Sequence, residues 1–282
     1  MSVNSKISRH EFLLFQKFIL EQCGIFFSED KAFLLESRLA KLMEENNIKS
    51  YINLYNLICN NKSVLLVQKV IDAITTKETF WFREKTPWAV LEEKLLPGYV
   101  NMLSACKHRK IKIWSAACAT GQEPYSIAMC IDRYLKSQQI KDVTLKNFEI
   151  LATDISVEAI TAAQKGQYDN VTMTRGLDDY YRSNYFSKTG RYWTLDGGIR
   201  SAVQFEKFNL LESFFMMKEF DLIFCRHVII YFTEYHKQEV LNKMAAILRP
   251  GGILFLGNSE ILPAGVSNLK PEIFKNNKYY RV

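Results

Sequence analysis

The sequence predicts an α/β fold: a doubly wound parallel sheet with helices on both faces, a small antiparallel β-subdomain inserted in it, and an all-α domain ahead of it. Three observations carry this. Residues 10–75 place apolar side chains at helical spacing, and no glycine or proline interrupts residues 25–86. From about residue 110, short apolar runs of strand type alternate with amphipathic stretches, the pattern of a parallel sheet. Between residues 166 and 205 that rhythm gives way to segments rich in Tyr, Asp, Gly and Thr with two-residue alternation.

The elements follow in order. After Ser28, the acids Glu29 and Asp30 precede Phe33, Leu34, Leu35, Leu39, Leu42 and Met43, an N-cap with a helical apolar face. Ser50 and Ser63 open two further helices. Lys110–Trp114 is a short strand, followed by a turn of small residues and a helix from Tyr125 to Leu135. Phe148–Thr153 is a second strand and Ser156–Gln164 a second helix. Phe220–Cys225 has the composition of a buried strand, Thr233–Leu248 is a helix, and Ile253–Leu256 is another strand. The alternation in Arg191–Leu195 and Val203–Phe205 is assigned to the antiparallel insertion. The domains are therefore expected at 1–85 (helical), and at 86–282 (α/β, with the insertion at about 166–205), the boundary lying near Pro87 to Pro97.

Composition narrows the function. Hydrophobic residues make up 48% of the 282 and charged residues 24%, the balance of a globular protein with a sizeable core. No apolar stretch approaches the roughly 18–20 residues of a membrane span, and the opening Met-Ser-Val-Asn-Ser-Lys lacks the apolar run of a secretion signal. A cytoplasmic location is expected. The six cysteines form no Cys-x-x-Cys pair and have no histidine at ligand spacing, so neither structural zinc nor a disulfide framework is expected. The net charge of +7 is uneven: residues 76–113 hold eight Lys and Arg against four Asp and Glu, much of it in Lys107-His-Arg-Lys-Ile-Lys112. No aromatics alternate with that run, so a solvated turn is favoured over a nucleic-acid patch.

Ligands of a doubly wound sheet bind beyond the carboxyl ends of its strands. Just there, Ser115, Ala117, Ala119 and Gly121 recur at every second position, the spacing of a nucleotide-binding turn with alanines for most of the glycines. Ordinary strand–helix packing would also want small residues. Asp154 ends the second strand, where a carboxylate can accept both ribose hydroxyls of an adenosine cofactor. It follows Gly121 by 33 positions, more than a dinucleotide fold uses, and it would serve equally as a helix cap. Leu248-Arg-Pro-Gly-Gly252 then marks a tight helix-to-strand turn. Taken in this order, and without a Gly-x-Gly-x-x-Gly, the three features favour a methyltransferase over a dehydrogenase.

Three longer stretches are more specific: Ile74-Thr-Thr-Lys-Glu-Thr-Phe-Trp-Phe-Arg83, Trp114-Ser-Ala-Ala-Cys-Ala-Thr-Gly-Gln-Glu-Pro-Tyr-Ser-Ile-Ala128 and Phe220-Asp-Leu-Ile-Phe-Cys-Arg-His-Val-Ile-Ile-Tyr-Phe232. With Gly166-Gln-Tyr168, Arg175-Gly-Leu177 and Gly257-Asn-Ser-Glu260, they closely resemble the chemotaxis receptor glutamate O-methyltransferases, the CheR family, from about residue 10 to the C-terminus. The resemblance implies a Rossmann-like class I methyltransferase domain with an inserted β-subdomain and a receptor-facing helical domain. It also implies S-adenosyl-L-methionine as cofactor, S-adenosyl-L-homocysteine as product, and chemoreceptor (methyl-accepting chemotaxis protein) helices as partners. A monomer without metal or membrane insertion is expected.

Residue by residue, the resemblance puts cofactor contacts at Lys77, Thr79, Arg83, Ala117, Glu123, Asp154, Asn209, Leu210, Arg226 and His227. The chain departs from the family pattern at Lys77 and His227, both usually Asn. Arg83 and Tyr231 are the candidates for the reacting centre. A guanidinium grips a carboxylate in two places, and Tyr231 lies just past the Phe220–Cys225 strand, on the side where methyltransferases place substrate-facing residues. Structural alternatives stand beside them: an interface salt bridge for Arg83, a half-buried aromatic at a helix start for Tyr231. Two other functions remain open, a module that binds the cofactor without transferring methyl, and a methyltransferase acting on RNA. Lys31, Arg38, Lys41 and Lys49 are candidates for a basic helix face towards the receptor.

Overall fold

The computed structural model describes residues 6–60, 63–217 and 219–282. Apart from Lys6, the opening segment read above for a secretion signal lies outside the described residues. The helical unit consists of Arg9–Cys23, Ala32–Glu45, Tyr51–Asn60 and Val64–Ile74. Ser8 and Glu11 cap the first helix reciprocally, which satisfies two of its free N–H groups. It ends on Gly24, whose φ of +73° suits a glycine C-cap. Ser28 makes no side-chain cap; a 3₁₀ turn, Glu29–Lys31, precedes the second helix, which starts at Ala32. Phe15, Leu35, Leu39, Met43, Leu54 and Val70 meet in one apolar core.

Among the described residues ten strands follow: β1 (Ile111–Ala116), β2 (Phe148–Asp154), β3 (Gln167–Asp169), β4 (Phe186–Thr189), β5 (Tyr192–Leu195), β6 (Val203–Lys207), β7 (Phe220–Phe224), β8 (Leu248–Phe255), β9 (Lys270–Phe274) and β10 (Asn277–Arg281). The large sheet has the order β6-β2-β1-β7-β8-β10-β9. Its first five strands run parallel, and β10 is antiparallel to both neighbours. From β1 the chain moves outward through β2 to β6, then returns to β1's other side for β7 and β8. The order reverses there, so a crevice opens above the carboxyl ends of β1 and β7. The strand β7 is buried throughout, as its unbroken apolar run requires of a strand covered on both faces.

The structure differs from the sequence expectations in several places. The alternation at Val203–Phe205 belongs to β6, paired in parallel with β2 at the edge of the large sheet; the small antiparallel sheet is β3-β5-β4 alone. Two-residue alternation reports a half-buried strand but not which sheet it joins. The helix expected from Tyr125 begins at Gln122, because Gly121 at φ +92° starts it without a side-chain cap. Pro250-Gly-Gly252 lies inside β8, at a register irregularity against β7, and not ahead of the strand. The interval around the expected boundary is helical: Thr86–Val90, a π turn at Leu91–Leu95 and Leu96–Ala105. Pro87 stands at a helix start, where proline's missing N–H costs nothing, and Pro97 directly follows the π turn inside the same helical run.

Candidate functional site

A cavity of about 320 Å³ lies above the carboxyl ends of β1, β2, β6 and β7, at the lower end of the 300–1,000 Å³ usual for small-molecule sites. Every site residue named from the sequence lines it, except Lys77. Thr79 and Arg83 come from the segment after the last N-terminal helix. Ala117 and Glu123 follow β1, Asp154 ends β2, Asn209 and Leu210 follow β6, and Arg226, His227 and Tyr231 follow β7. The helical unit closes the far wall with Phe26, Phe27, Lys31, Leu34 and Arg38. Two of the four cations proposed for a basic helix face therefore belong to the cavity wall.

The turn after β1 is shaped for close approach. Ala117 and Ala119 both have left-handed backbones, φ +56° and +48°, a conformation that costs a non-glycine residue roughly 1–2 kcal/mol. A Cβ on Gly121 would lie 2.9 Å from that of Ala163, so this position excludes any side chain. The Asp154 carboxylate accepts N–H from Ala119 and from Ser156, each at 2.8 Å. Burial raises its pKa above the ordinary value, against those two hydrogen bonds, which lower it. Burial likewise pushes the Cys118 thiol well up, leaving it an inert packing group.

A charged network fills one side. Arg226, with a side chain only 1% exposed, forks between Glu84 and Glu123, each contact 2.8 Å. Ser115 donates its hydroxyl to Glu123 at 2.8 Å. His227 Nε2 lies 3.1 Å from the other Glu84 oxygen. Burial opposes ionisation of Glu84, but the close approach of His227, the hydrogen bond from Arg226 and the Arg226 charge outweigh it and hold the carboxyl at about 2. His227 itself has φ +59°. His and Asn are both among the residues that tolerate this region, so the backbone accommodates the departure from the family's Asn.

Arg83 is half-buried and engaged by no carboxylate among the described residues. Its Nη1 donates to the Glu78 carbonyl at 3.2 Å and its guanidinium lies 5.2 Å from the Phe80 ring centre. The interface salt bridge considered for it is not made. Tyr231 ends a 3₁₀ turn, Ile229–Tyr231, and is 37% exposed at the cavity mouth. Its carbonyl accepts from Phe26 N at 2.9 Å, and Ile25 forms an antiparallel bridge with Phe232. Lys77 instead pairs with Glu158 on the helix after β2, Val157–Lys165. The basic run at Lys107–Lys112 lies at the opposite end of β1, with Arg109 on Asp221 and Lys110 on the Lys146 carbonyl. Glu84 and Glu260, both central to the arrangement, were not named as site residues from the sequence. Glu84 meets residues 142 to 174 positions away, and Glu260 meets Gly257 three positions away and the loop 227–230 at 30 to 33.

The small-residue turn, the carboxylate beyond β2 and the crevice at the switch point fit an adenosyl cofactor. A family model described as "CheR methyltransferase, SAM binding domain" matches residues 77–278, and one described as "CheR methyltransferase, all-alpha domain" matches residues 10–75. The chain belongs to the CheR methyltransferase family. Chemotaxis protein methyltransferase 1 of Pseudomonas aeruginosa is 42% identical over 255 residues, 89% of this chain and 90% of that protein. The chemotaxis protein methyltransferase of Borreliella burgdorferi is 32% identical over 283 residues, 98% of this chain and 97% of its own. Among solved structures, a TehB-like SAM-dependent methyltransferase from Corynebacterium glutamicum aligns with a TM-score of 0.34 at 14% identity, covering 65% of this chain and 85% of its own. As a CheR protein, the chain is an S-adenosylmethionine-dependent methyltransferase of chemotaxis, with the Rossmann-like class I domain and all-α domain of the family. Among the described residues no cluster of His, Cys, Asp or Glu could hold a metal, and no helix is long and apolar enough to cross a membrane.

Proposed function

We propose that this chain, acting as a monomer in the cytoplasm, methylates glutamate side chains on the cytoplasmic helices of chemoreceptors. The helical unit, residues 1–85, faces the receptor, residues 86–282 form the methyltransferase domain with the β-subdomain at about 166–205 inserted in it, and the cofactor cavity also takes Thr79 and Arg83 from the end of the first unit. The observation that carries this reading is Arg83, a guanidinium that has no carboxylate partner among the described residues and lines the same cavity as Asp154 and Glu123.

S-adenosylmethionine, when bound, supplies an electrophilic methyl group on a sulfonium that leaves readily. Asp154 would hold its ribose and Glu123 its amino-acid end, with Thr79, Ala117, Asn209, Leu210, Arg226 and His227 completing the wall and Lys77 acting from outside through Glu158. A glutamate side chain, with an ordinary pKa of about 4.3, is already an anion at neutral pH and needs no strong base. The protein's task is placement and exclusion of water. Arg83 orients the incoming carboxylate, Tyr231 stands beside it at the mouth, and Phe26, Phe27 and Phe80 keep the walls apolar.

The test is labelled-methyl transfer to a panel of receptor signalling domains, with glutamate-to-alanine controls. Transfer is expected to disappear with the target glutamates. Arg83→Ala is expected to lose roughly 10- to 100-fold in kcat/KM, the value of one or two hydrogen bonds to a charged group, while calorimetry shows a smaller loss of cofactor affinity, since Arg83 is one of several cofactor contacts. Cofactor binding with no transfer to any receptor domain would instead favour a chain that only holds the cofactor.

A further inference from the structure

Outside the cavity, one buried carboxylate organises the loop that delivers its β7-side residues. Glu260 is 5% exposed. Its Oε2 accepts N–H from Gly257 and from His227, both at 2.7 Å, and its Oε1 accepts from Val228 at 2.9 Å and Ile230 at 3.3 Å. Three of these four donors lie between Arg226 and Tyr231. Consecutive N–H groups turned to one point form an anion-binding concavity, and here the anion is a side chain of the same protein. Gly257 makes room for it: a Cβ there would lie 2.9 Å from Glu260 Oε2 and 2.9 Å from His227 Cε1.

We propose that Glu260 is a positioning residue whose carboxylate folds residues 227–230 around itself and so sets where Tyr231 meets the substrate. This rests on the reading of Tyr231 as part of the reacting centre. The charge of Glu260 faces N–H groups and not the cavity. An amide of the same shape would present an NH₂ group to at least one pair of donors, which forces the loop to rearrange. The Arg226 end of the loop has a second anchor in Glu84 and Glu123. The Tyr231 end has the Glu260 contact through Ile230 N and the carbonyl contact with Phe26 N. Loss of the clamp is therefore felt first at Tyr231.

The experiment uses the full chain with a receptor signalling domain, and compares Glu260→Gln, Gly257→Ala, Tyr231→Phe and the double variant Glu260→Gln/Tyr231→Phe. Gly257→Ala keeps the charge and displaces it, so it reads the same contact if Glu260→Gln does not fold. Expected are a kcat at least about 10-fold lower in both single loop variants and a smaller loss of S-adenosylhomocysteine affinity, because Asp154 and Glu123 are not on this loop while His227, which is, lines the same cavity. In the Tyr231→Phe background, the Glu260→Gln loss should shrink to less than about 3-fold, since the two residues act as one unit. A folded Glu260→Gln or Gly257→Ala chain with parental kcat overturns the proposal. So does an undiminished loss in the Tyr231→Phe background. Tyr231→Phe alone reports on the other reading: normal turnover there removes Tyr231 from the reacting centre, a result distinct from an impaired Tyr231→Phe beside an unimpaired Glu260→Gln.

Discussion

Asp154 already accepts two main-chain N–H groups in the protein alone, so its carboxylate both shapes the turn and faces the cavity. Asp154→Ala should therefore do two measurable things. Calorimetry should show cofactor affinity falling at least about 30-fold, from two lost hydroxyl contacts to a charged acceptor. Denaturant unfolding should show a smaller loss, about 1–3 kcal/mol, from the unpaired buried Ala119 N–H. Glu84 makes the pH prediction. Its folded pKa is depressed from the ordinary 4.5 to about 2, so its stabilising share is complete above 4.5 and drains away as pH falls towards 2. At about 1.4 kcal/mol per pH unit this is on the order of 3 kcal/mol. Melting temperatures measured across that window should fall in the parent and fall less in Glu84→Gln. Asp154 and Glu123 were legible as single residues because they belong to a turn and a strand end with a known use. Glu84 was not, since its partners lie far along the chain, and Glu260 was seen only within the stretch Gly257-Asn-Ser-Glu260, without the loop at 227–230 that it holds. Lys77 shows the reverse: it is adjacent in sequence to the site, yet Glu158 draws its ammonium away.

At the scale of elements, local rules placed β1, β2 and the helices Tyr51–Asn60 and Val64–Ile74 well, and found the helix Ala32–Glu45 with its start too early at Ser28, because apolar periodicity is a local signal. They missed what depends on pairing, such as the membership of β6 in the large sheet. The turn after β1 can be tested as an element. Ala117→Gly should leave stability unchanged or raise it by up to about 1 kcal/mol, because the left-handed backbone suits glycine. Gly121→Ala should destabilise, the new Cβ meeting Ala163 and Tyr125. Thermal unfolding of the two variants should move in these different directions. A second joint lies at Gly176, φ +82°, where a Cβ would stand 2.1 Å from the Trp81 carbonyl. The same strand-like contact, Trp81 N to Arg175 O at 3.2 Å, seats the segment that carries Thr79 and Arg83. Gly176→Ala should raise KM for the receptor domain and lower kcat together, read by steady-state kinetics, although the residue itself lines no part of the cavity.

For the whole molecule, the cavity has walls from both units, and the junction is held by polar ties: Gln68 to the Ile155 carbonyl, Ser156 to Asp72, Asn209 to the Gln22 carbonyl. A ligand at that junction stabilises both sides at once. Saturation at 100 times Kd is worth about 2.7 kcal/mol, and calorimetric scans with S-adenosylhomocysteine should show the helical and α/β units shifting upward together. The division into a helical and an α/β part was readable from the change of periodicity near residue 110, but the closure of the cavity by Phe26, Lys31 and Arg38 was not, because no local pattern records which wall faces which. The seam between Phe26 and Tyr231 is made by an N–H and a carbonyl, and that between Ile25 and Phe232 by main chain alone. Such a seam is blind to the drift of side chains. Any residue but proline at position 26 can still donate, so a lineage can replace the side chains along it over generations and hand on the alignment of its two halves unaltered.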